Sequence, residues 1–381
     1  MEKKKNVPVL RFPEFSGEWE KRKLGELGSF IGGGTPSTKT AKFWNGNIPW
    51  ISSSDLTEES IYQINTTRFI TCDAVLQSAT KIVPKNSILI VSRVGVGKVA
   101  VNEDELCTSQ DFTNLVPDSD YYLFLAYLIK LKTNYLLEFN QGTSIKGFVK
   151  SDLETLQIKL PSIPEQKIIA SSIAAVDNKL QTLKKKKTLL EQYKKGMMQK
   201  IFSQELRFKD DNGEAFPKWE MKKLGDICES IVSGKTKPEL EGEYFVYGST
   251  GIIGKSLNYT HSGKYLLAAR VGANAGQINV ANGKFSVTDN TLVIKVKNQI
   301  NIDFVFYFIL EYDLNKLVFG SGQPLITGGQ LKLLNINLPC LTEQTKIANF
   351  LSAIDDKINL CNVQIEKTEQ WKKGLLQKMF V

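Results

Sequence analysis

Residues 160–180 read LPSIPEQKIIASSIAAVDNKL and residues 338–358 read LPCLTEQTKIANFLSAIDDKI, one long motif written twice in a single chain. The match continues, with YKKGMMQKIF from Tyr193 to Phe202 returning as WKKGLLQKMF from Trp371 to Phe380; the offset is 178 throughout, with 17 identities over 43 aligned positions. A second boundary repeats at an offset of 200, where WEKRKLGEL from Trp19 returns as WEMKKLGDI from Trp219, and Leu10-Arg-Phe recurs as Leu206-Arg-Phe. Between these anchors the likeness thins to Arg93-Val-Gly against Arg270-Val-Gly, Asp111 against Asp289 and Gly142 against Gly320. The order is variable, constant, variable, constant. A repeat of this length demands two related cores, with readout surfaces free to differ.

The constant segments carry a heptad seam. After Pro164 come Ile169, Ile173, Val176, Leu180, Leu183, Lys187, Leu190, Lys194, Met197 and Ile201, in alternating steps of four and three. The second copy supplies Ile347, Leu351, Ile354, Ile358, Cys361, Ile365, Thr368, Lys372, Leu375 and Met379 in the same phase. Such spacing marks helices that pack as a coiled coil, and Pro164 suits a first helical turn. A helix over 164–202 would run ~58 Å. Because the chain returns through an intervening module, the two helices are expected to pair antiparallel within the chain; each packing on its own module is the alternative. Lys187 and Lys194 are the seam exceptions able to set register, and the off-seam Tyr193 and Trp371 are placed to meet partner subunits.

The expected fold class is α+β: two mixed α/β modules, separated by two long helices that form an antiparallel coiled coil, with pseudo-twofold duplication. The expected divisions are 1–160 and 204–338 for the modules, and 161–203 and 339–381 for the helices. β-Branched runs broken by glycine, Ser87 to Val101 and Lys264 to Val280, suggest hairpins or bends. Tyr121 to Phe139 and Ile302 to Leu317 have helical spacing and aromatic content, as core helices do. Polar glycine-rich loops punctuate both modules: GGGTPSTK from Gly32, WISSSD from Trp50 and NQGTSIKG from Asn140 in the first, and VSGKTKP from Val232, YGSTGIIGKS from Tyr247 and FGSGQPLITGG from Phe319 in the second. Such loops suit close approach to phosphates and base edges, and equally suit ordinary turns.

Several function classes drop out. The only histidine is His261, which removes most zinc and histidine-based catalysis. Five scattered cysteines argue for a reducing, cytoplasmic setting rather than a disulfide framework. No apolar run reaches the ~18–20 residues of a membrane span, and no signal-peptide core follows the basic start. Gly95-Val-Gly97-Lys-Val-Ala100 mimics a nucleotide fingerprint, but Val99-Ala-Val reads as extended, so the helix N-terminus that would hold a pyrophosphate is missing. As a P-loop it also fails, because Val99 stands where Ser or Thr must meet magnesium. No Asn-Pro-Pro-aromatic tetrapeptide of amino-methyltransferases occurs, and no acidic cluster followed by Lys suggests a nuclease. No catalytic, cofactor-binding or metal-ligating residue is expected in this chain.

With its repeated Leu160-Pro…Glu165-Gln166 and Leu338-Pro…Glu343-Gln344 segments and their KKG(M/L)(M/L)QK tails, the chain resembles the specificity (S) subunit of type I restriction–modification systems over essentially its whole length. The block from Gly33-Gly-Thr-Pro-Ser to Asp55 looks like one common opening of that family's recognition modules. The second module departs from it, with Gly234-Lys-Thr-Lys-Pro-Glu and Tyr247-Gly-Ser-Thr-Gly standing there instead. The resemblance implies two target-recognition domains, each reading one half of an asymmetric bipartite sequence in double-stranded DNA. It implies helices that act as spacer and dock two methyltransferase subunits, which carry S-adenosylmethionine and methylate an adenine in each half-site. It further implies restriction subunits that add ATP- and Mg-dependent translocation and cleavage. The DNA-contacting candidates are Thr35, Ser37, Lys39, Ser53, Arg93, Gln141, Thr143 and Lys146 in the first module, and Lys235, Lys237, Ser249, Thr250, Arg270 and Gln323 in the second. Arg93 and Arg270 stand in equivalent places, which suits a shared structural or phosphate role as well as base reading.

Two other readings stay open on the residues alone: a coiled-coil adaptor with protein- or carbohydrate-binding modules, and a fused restriction–methylation enzyme. The formal charge of +9 is uneven. Residues 164–202 hold nine Lys against three acids, whereas 1–163 and 203–341 are each only +1. The excess sits on the first helix, with Lys184 to Lys187 either a solvated face or a hold on spacer DNA or a partner.

Overall fold

A computed structural model describes residues 6–138, 147–320 and 324–381. The chain divides into two compact units, Met1–Leu183 with Gln364–Val381, and Lys184–Val363. Each is assembled from the same four parts: the end of one long helix, an entry segment bearing Leu-Arg-Phe, a sheet-rich module, and the start of the other long helix. In the second unit these parts follow in chain order. In the first, the helix end is supplied by the C-terminus. Leu10 N donates to Lys378 O at 2.8 Å, and Leu206 N to Lys200 O at 2.9 Å, so both entry segments meet a helix end alike although only one junction is covalent.

The long helices span Ile163–Phe202 and Leu341–Met379. Every one of the twenty seam positions is buried or partly buried, and none is exposed. In the first unit Ile169 and Ile173 share a core with Met379, with Leu375 packed against it. In the second, Met198 and Ile201 share one with Ile347, Leu351 and Ile354. In each unit the start of one helix therefore lies against the end of the other, an antiparallel pairing. Among the described residues no helix is long and apolar enough to cross a membrane.

Lys187 and Lys194 behave differently. Lys194 Nζ reaches Asp355 on the facing helix, at 2.6 and 2.8 Å from its two carboxylate oxygens. Lys187 instead pairs within its own helix, 3.8 Å from Glu191. Of these two, only Lys194 keys one helix to the other.

The repeated Glu-Gln dipeptide is structural. Glu165, 1 % exposed, takes a two-pronged ion pair from Arg11 at 2.8 and 2.8 Å and the Trp19 indole N–H at 3.3 Å. Glu343, fully buried, repeats this with Arg207 at 3.1 and 2.7 Å and Trp219 at 3.0 Å. Gln166 Oε1 accepts from Tyr121 N at 2.9 Å, just before the helix Tyr122–Glu138, and Gln344 Oε1 accepts from Asn301 N at 2.8 Å, just before the helix Ile302–Tyr312. A buried carboxylate is tolerated only when it is paired and hydrogen-bonded, which explains why Leu-Arg-Phe, Trp and Glu-Gln recur together.

Each module holds two four-stranded sheets of matching topology. In the first module one sheet runs Gly28–Gly32, Thr113–Pro117, Ile88–Ile90, Val99–Val101, all antiparallel. The other runs Arg68–Ile70, Ile48–Ile51, Leu106–Thr108, Ile82–Val83, with its central pair parallel. The second module repeats both, as Cys228–Ser233, Thr291–Val296, Tyr265–Ala269, Ile278–Ala281 and as Gly251–Ser256, Tyr244–Gly248, Lys284–Val287, His261–Ser262, again with one parallel central pair. Residues 52–67 join Ile51 to Arg68, whereas Ser249-Thr250 alone joins Tyr244–Gly248 to Gly251–Ser256. Much of the second module's shorter length lies there.

The expected hairpin over Ser87 to Val101 is present, and Gly95 and Gly97 bend it with φ of +79° and +103°. After those glycines and Lys98 the chain enters the strand Val99–Val101, not a helix.

Candidate nucleic-acid interface

In the first module, the turn from Ser109 to Phe112 carries the chain from one sheet to the other. Three loops are hydrogen-bonded to it or to its flanking strands. Gly33 N donates to Phe112 O at 3.4 Å and Gly34 N to Thr108 O at 2.8 Å; Ser109 N donates to Ile51 O at 2.8 Å; Ser92 N donates to Asp111 O at 2.8 Å. The first approach needs glycine, since a Cβ at Gly33 would lie 2.0 Å from Ser109 O. The second module builds the same frame around Thr288 to Thr291. Gly234 N donates to Thr291 O at 3.2 Å, Thr288 N to Tyr247 O at 2.9 Å, and Arg270 N to Asn290 O at 2.9 Å. A Cβ at Gly234 would sit 2.1 Å from Val287 O.

Thr35, Ser37, Lys39 and Arg93 are exposed, as are Lys235, Lys237 and Thr250, while Ser249 and Arg270 are half-buried. Thr35 and Arg93 come together around the 109–112 turn. Lys235, Ser249, Thr250 and Arg270 lie on the three loops gathered at the 288–291 turn. Ser53 differs from expectation: it is buried at 9 %, and its carbonyl accepts from Lys98 Nζ at 2.9 Å. Its neighbours explain why. Ser52 N donates to Asp55 Oδ2 at 2.7 Å, and Arg68 bonds both Asp55 and Ser52 Oγ while stacking 4.6 Å over Trp50. This stretch is a self-satisfied turn with its serine turned inward. Gln141, Thr143, Lys146 and Gln323 lie outside the described residues.

Arg93 and Arg270 are not equivalent. Ser92, not Arg93, exchanges hydrogen bonds with Asp111 O and Phe148 N, and Arg270 takes the matching places against Asn290 O and Ile326 N. The Arg-Val-Gly tripeptides are therefore offset by one residue in the frame. Arg270 Nη1 leans back to Asp289 O at 3.5 Å, while no partner holds the Arg93 side chain among the described residues. A role shared through equivalent placement does not apply to this pair.

Missing from the sequence-based candidates are the turn residues themselves. Gln110 is exposed and its Oε1 accepts from the Thr35 hydroxyl; Asp289 and Asn290 are exposed at the second turn. The alignment of Asp111 with Asp289 pointed at this place, but short turns between apolar strands carry no distinguishing composition.

The sequence-family model described as "Type I restriction modification DNA specificity domain" matches residues 16–192 and 217–370. The type I restriction enzyme MjaIX specificity subunit of Methanocaldococcus jannaschii is 28% identical, over 98% of this chain and 95% of that protein. The EcoprrI specificity subunit of Escherichia coli is 28% identical over 88% and 87%. In fold, the chain is similar to a type I restriction–modification S subunit from M. genitalium, with a TM-score of 0.66, 17% identity, and 98% and 99% of the two chains covered. With two copies of the domain, both carried on the duplicated frame described above, this chain belongs to the type I restriction–modification DNA specificity family.

Proposed function

We propose that this chain is the DNA-reading, non-catalytic subunit of a type I restriction–modification complex, each module reading one half of an asymmetric bipartite site. The observation that carries this is one frame built twice with different loops: Gly33-Gly-Thr-Pro-Ser and Ser109-Gln-Asp-Phe in one copy, Gly234-Lys-Thr-Lys-Pro and Thr288-Asp-Asn-Thr in the other. Like scaffolds with unlike rims suit unlike half-sites. Phosphate contacts position such a module, and a few side chains read base edges in the major groove.

In this reading the paired helices set the spacing and dock two methyltransferase subunits, with restriction subunits completing a complex at work in the cytoplasm. S-adenosylmethionine, ATP and Mg belong to those partners. A target adenine must leave the base stack to be methylated, so a fixed separation of two readers would select which adenines are reached. Most of the net positive charge lies on the first long helix, with Lys185 and Lys186 exposed, and near-neutral modules give little nonspecific attraction. Neither the adaptor nor the fused enzyme is favoured by the family match.

The test is single-molecule methylation sequencing of the host with and without this gene. Loss of a bipartite adenine-methylation pattern on deletion is expected; an unchanged pattern would contradict the assignment.

A further inference from the structure

We propose that the residue at the tip of the inter-sheet turn specifies one base pair in each half-site, and that Gln110 reads an adenine. This rests on the DNA-recognition reading above and adds the residue and the base. Ser109 N on Ile51 O and Thr288 N on Tyr247 O anchor the two turns alike, which places Gln110 and Asp289 each one residue past the anchor. Both are exposed. On either side the backbone is tied down: Phe112 N donates to Ser109 O at 3.2 Å, Ser92 N to Asp111 O at 2.8 Å, and Ser109 Oγ to Asp111 Oδ2 at 3.2 Å. A side chain on so constrained a turn is held in place before DNA arrives, as precise readout needs. Arg93, on one of the gathered loops, and Lys39, beyond Thr35 on another, supply exposed cations for phosphates, which leaves the neutral Gln110 amide available for a base edge.

The Thr35 hydroxyl donates to Gln110 Oε1. One lone pair of Oε1 and both Nε2 hydrogens stay free. That acceptor-plus-donor pair complements the N6 amino group and N7 of adenine in the major groove, whereas guanine offers two acceptors there and leaves Oε1 unpaired. At the corresponding place Asp289 presents a carboxylate without a side-chain partner among the described residues, an acceptor-only group suited to the amino group of cytosine. One frame with two different tip residues gives two different letters.

The test is binding of the assembled methyltransferase–specificity complex to duplexes that carry its methylated bipartite site with every single base-pair replacement. For the wild type, replacing one A·T pair in the first module's half-site should cost about 10- to 100-fold, the range for one bidentate base contact. Gln110→Ala should flatten that penalty to under about threefold and leave the second half-site's penalties intact. Gln110→Glu, nearly isosteric, should move the preferred pair at that position from A·T to C·G, since a carboxylate accepts from the cytosine amino group. If Gln110→Ala abolishes binding, the Glu variant decides alone. A wild-type profile in the Glu variant, or discrimination lost at several pairs or in both half-sites, overturns the proposal. A wild-type complex indifferent to every replacement contradicts the DNA-recognition reading itself.

Discussion

Lys194 Nζ lies 2.6 Å from Asp355 Oδ1, and Lys372, its counterpart in the repeat, stands 2.6 Å from Asp177. Each aspartate also accepts from a tyrosine of its module, Tyr307 on Asp355 and Tyr127 on Asp177, both at 2.7 Å. One carboxylate thus ties two long helices and a module helix together in each unit. The Asp177 side chain is 8% exposed and that of Asp355 30%, and removing one partner of a pair costs more where water cannot replace it. Asp177→Ala should therefore destabilise its unit by about 3 kcal/mol and Asp355→Ala by about 1–2 kcal/mol. Urea unfolding combined with hydrogen exchange of each unit would check the order; equal losses would count against it.

The first of these hubs adds a pH signature. Burial, and then the Lys372 charge, push the Lys130 ammonium down to about 8. Between about pH 8 and the unfolded value near ~10.4, the unfolded chain binds more protons than the folded one. Stability from this group therefore rises with pH across that window, and the penalty is fully present below it. Burial pushes the Tyr127 and Tyr307 hydroxyls up, so above about pH 10 the folded state holds protons the unfolded state has lost, and stability falls. The difference in stability between wild type and Lys130→Met isolates the lysine. It should narrow from pH 7.5 to pH 10; a constant difference would refute the assignment.

The Glu-Gln repeat predicts folding defects rather than altered readout. Glu343→Ala would strand Arg207 and the Trp219 N–H beside a fully buried site, costing about 3–5 kcal/mol. Thermal unfolding should show it. Any Glu343→Ala protein that folds should methylate the same sequence as the wild type.

One departure from the duplication leaves a hole. Phe350 stacks edge-on with Phe208 at 5.5 Å in the second unit. Its counterpart by the 178-residue offset is Ser172, which helps line a cavity of about 330 Å³ with Phe12, Trp371, Leu375 and Met379. Ser172→Phe should fill it and stabilise by about 1 kcal/mol. Phe350→Ser should cost about 2 kcal/mol by opening the matching space. Paired calorimetric scans measure both signs.

The helices were the most legible part, because a seam of ten positions in each copy leaves one way to bury it, and all twenty are shielded. Lys194 acted across the helices as its seam position suggested, while Lys187 found Glu191 one turn away, a choice that helical spacing does not settle. The Glu-Gln signature was visible as a repeat, yet its partners lie 154 and 136 residues away in Arg11 and Arg207. No local pattern couples residues at that distance. Site residues were harder to read. Composition drew attention to glycine- and serine-rich loops, and Ser53 proved to be turned inward by the Asp55–Arg68 network. Gln110 and Asp289 escaped because their significance comes from two sheets meeting at one turn. The Arg-Val-Gly match was real in sequence but slipped by one residue in register, and a one-residue slip sends a side chain to the other face.

The central claim is that the two modules are independent readers on one frame. The most direct measurement exchanges residues 24–160 for the corresponding module of another family member and maps adenine methylation genome-wide by single-molecule sequencing. A new sequence in one half-site, with the other half retained, is the predicted result. A change in both halves, or in neither while methylation persists, would contradict it.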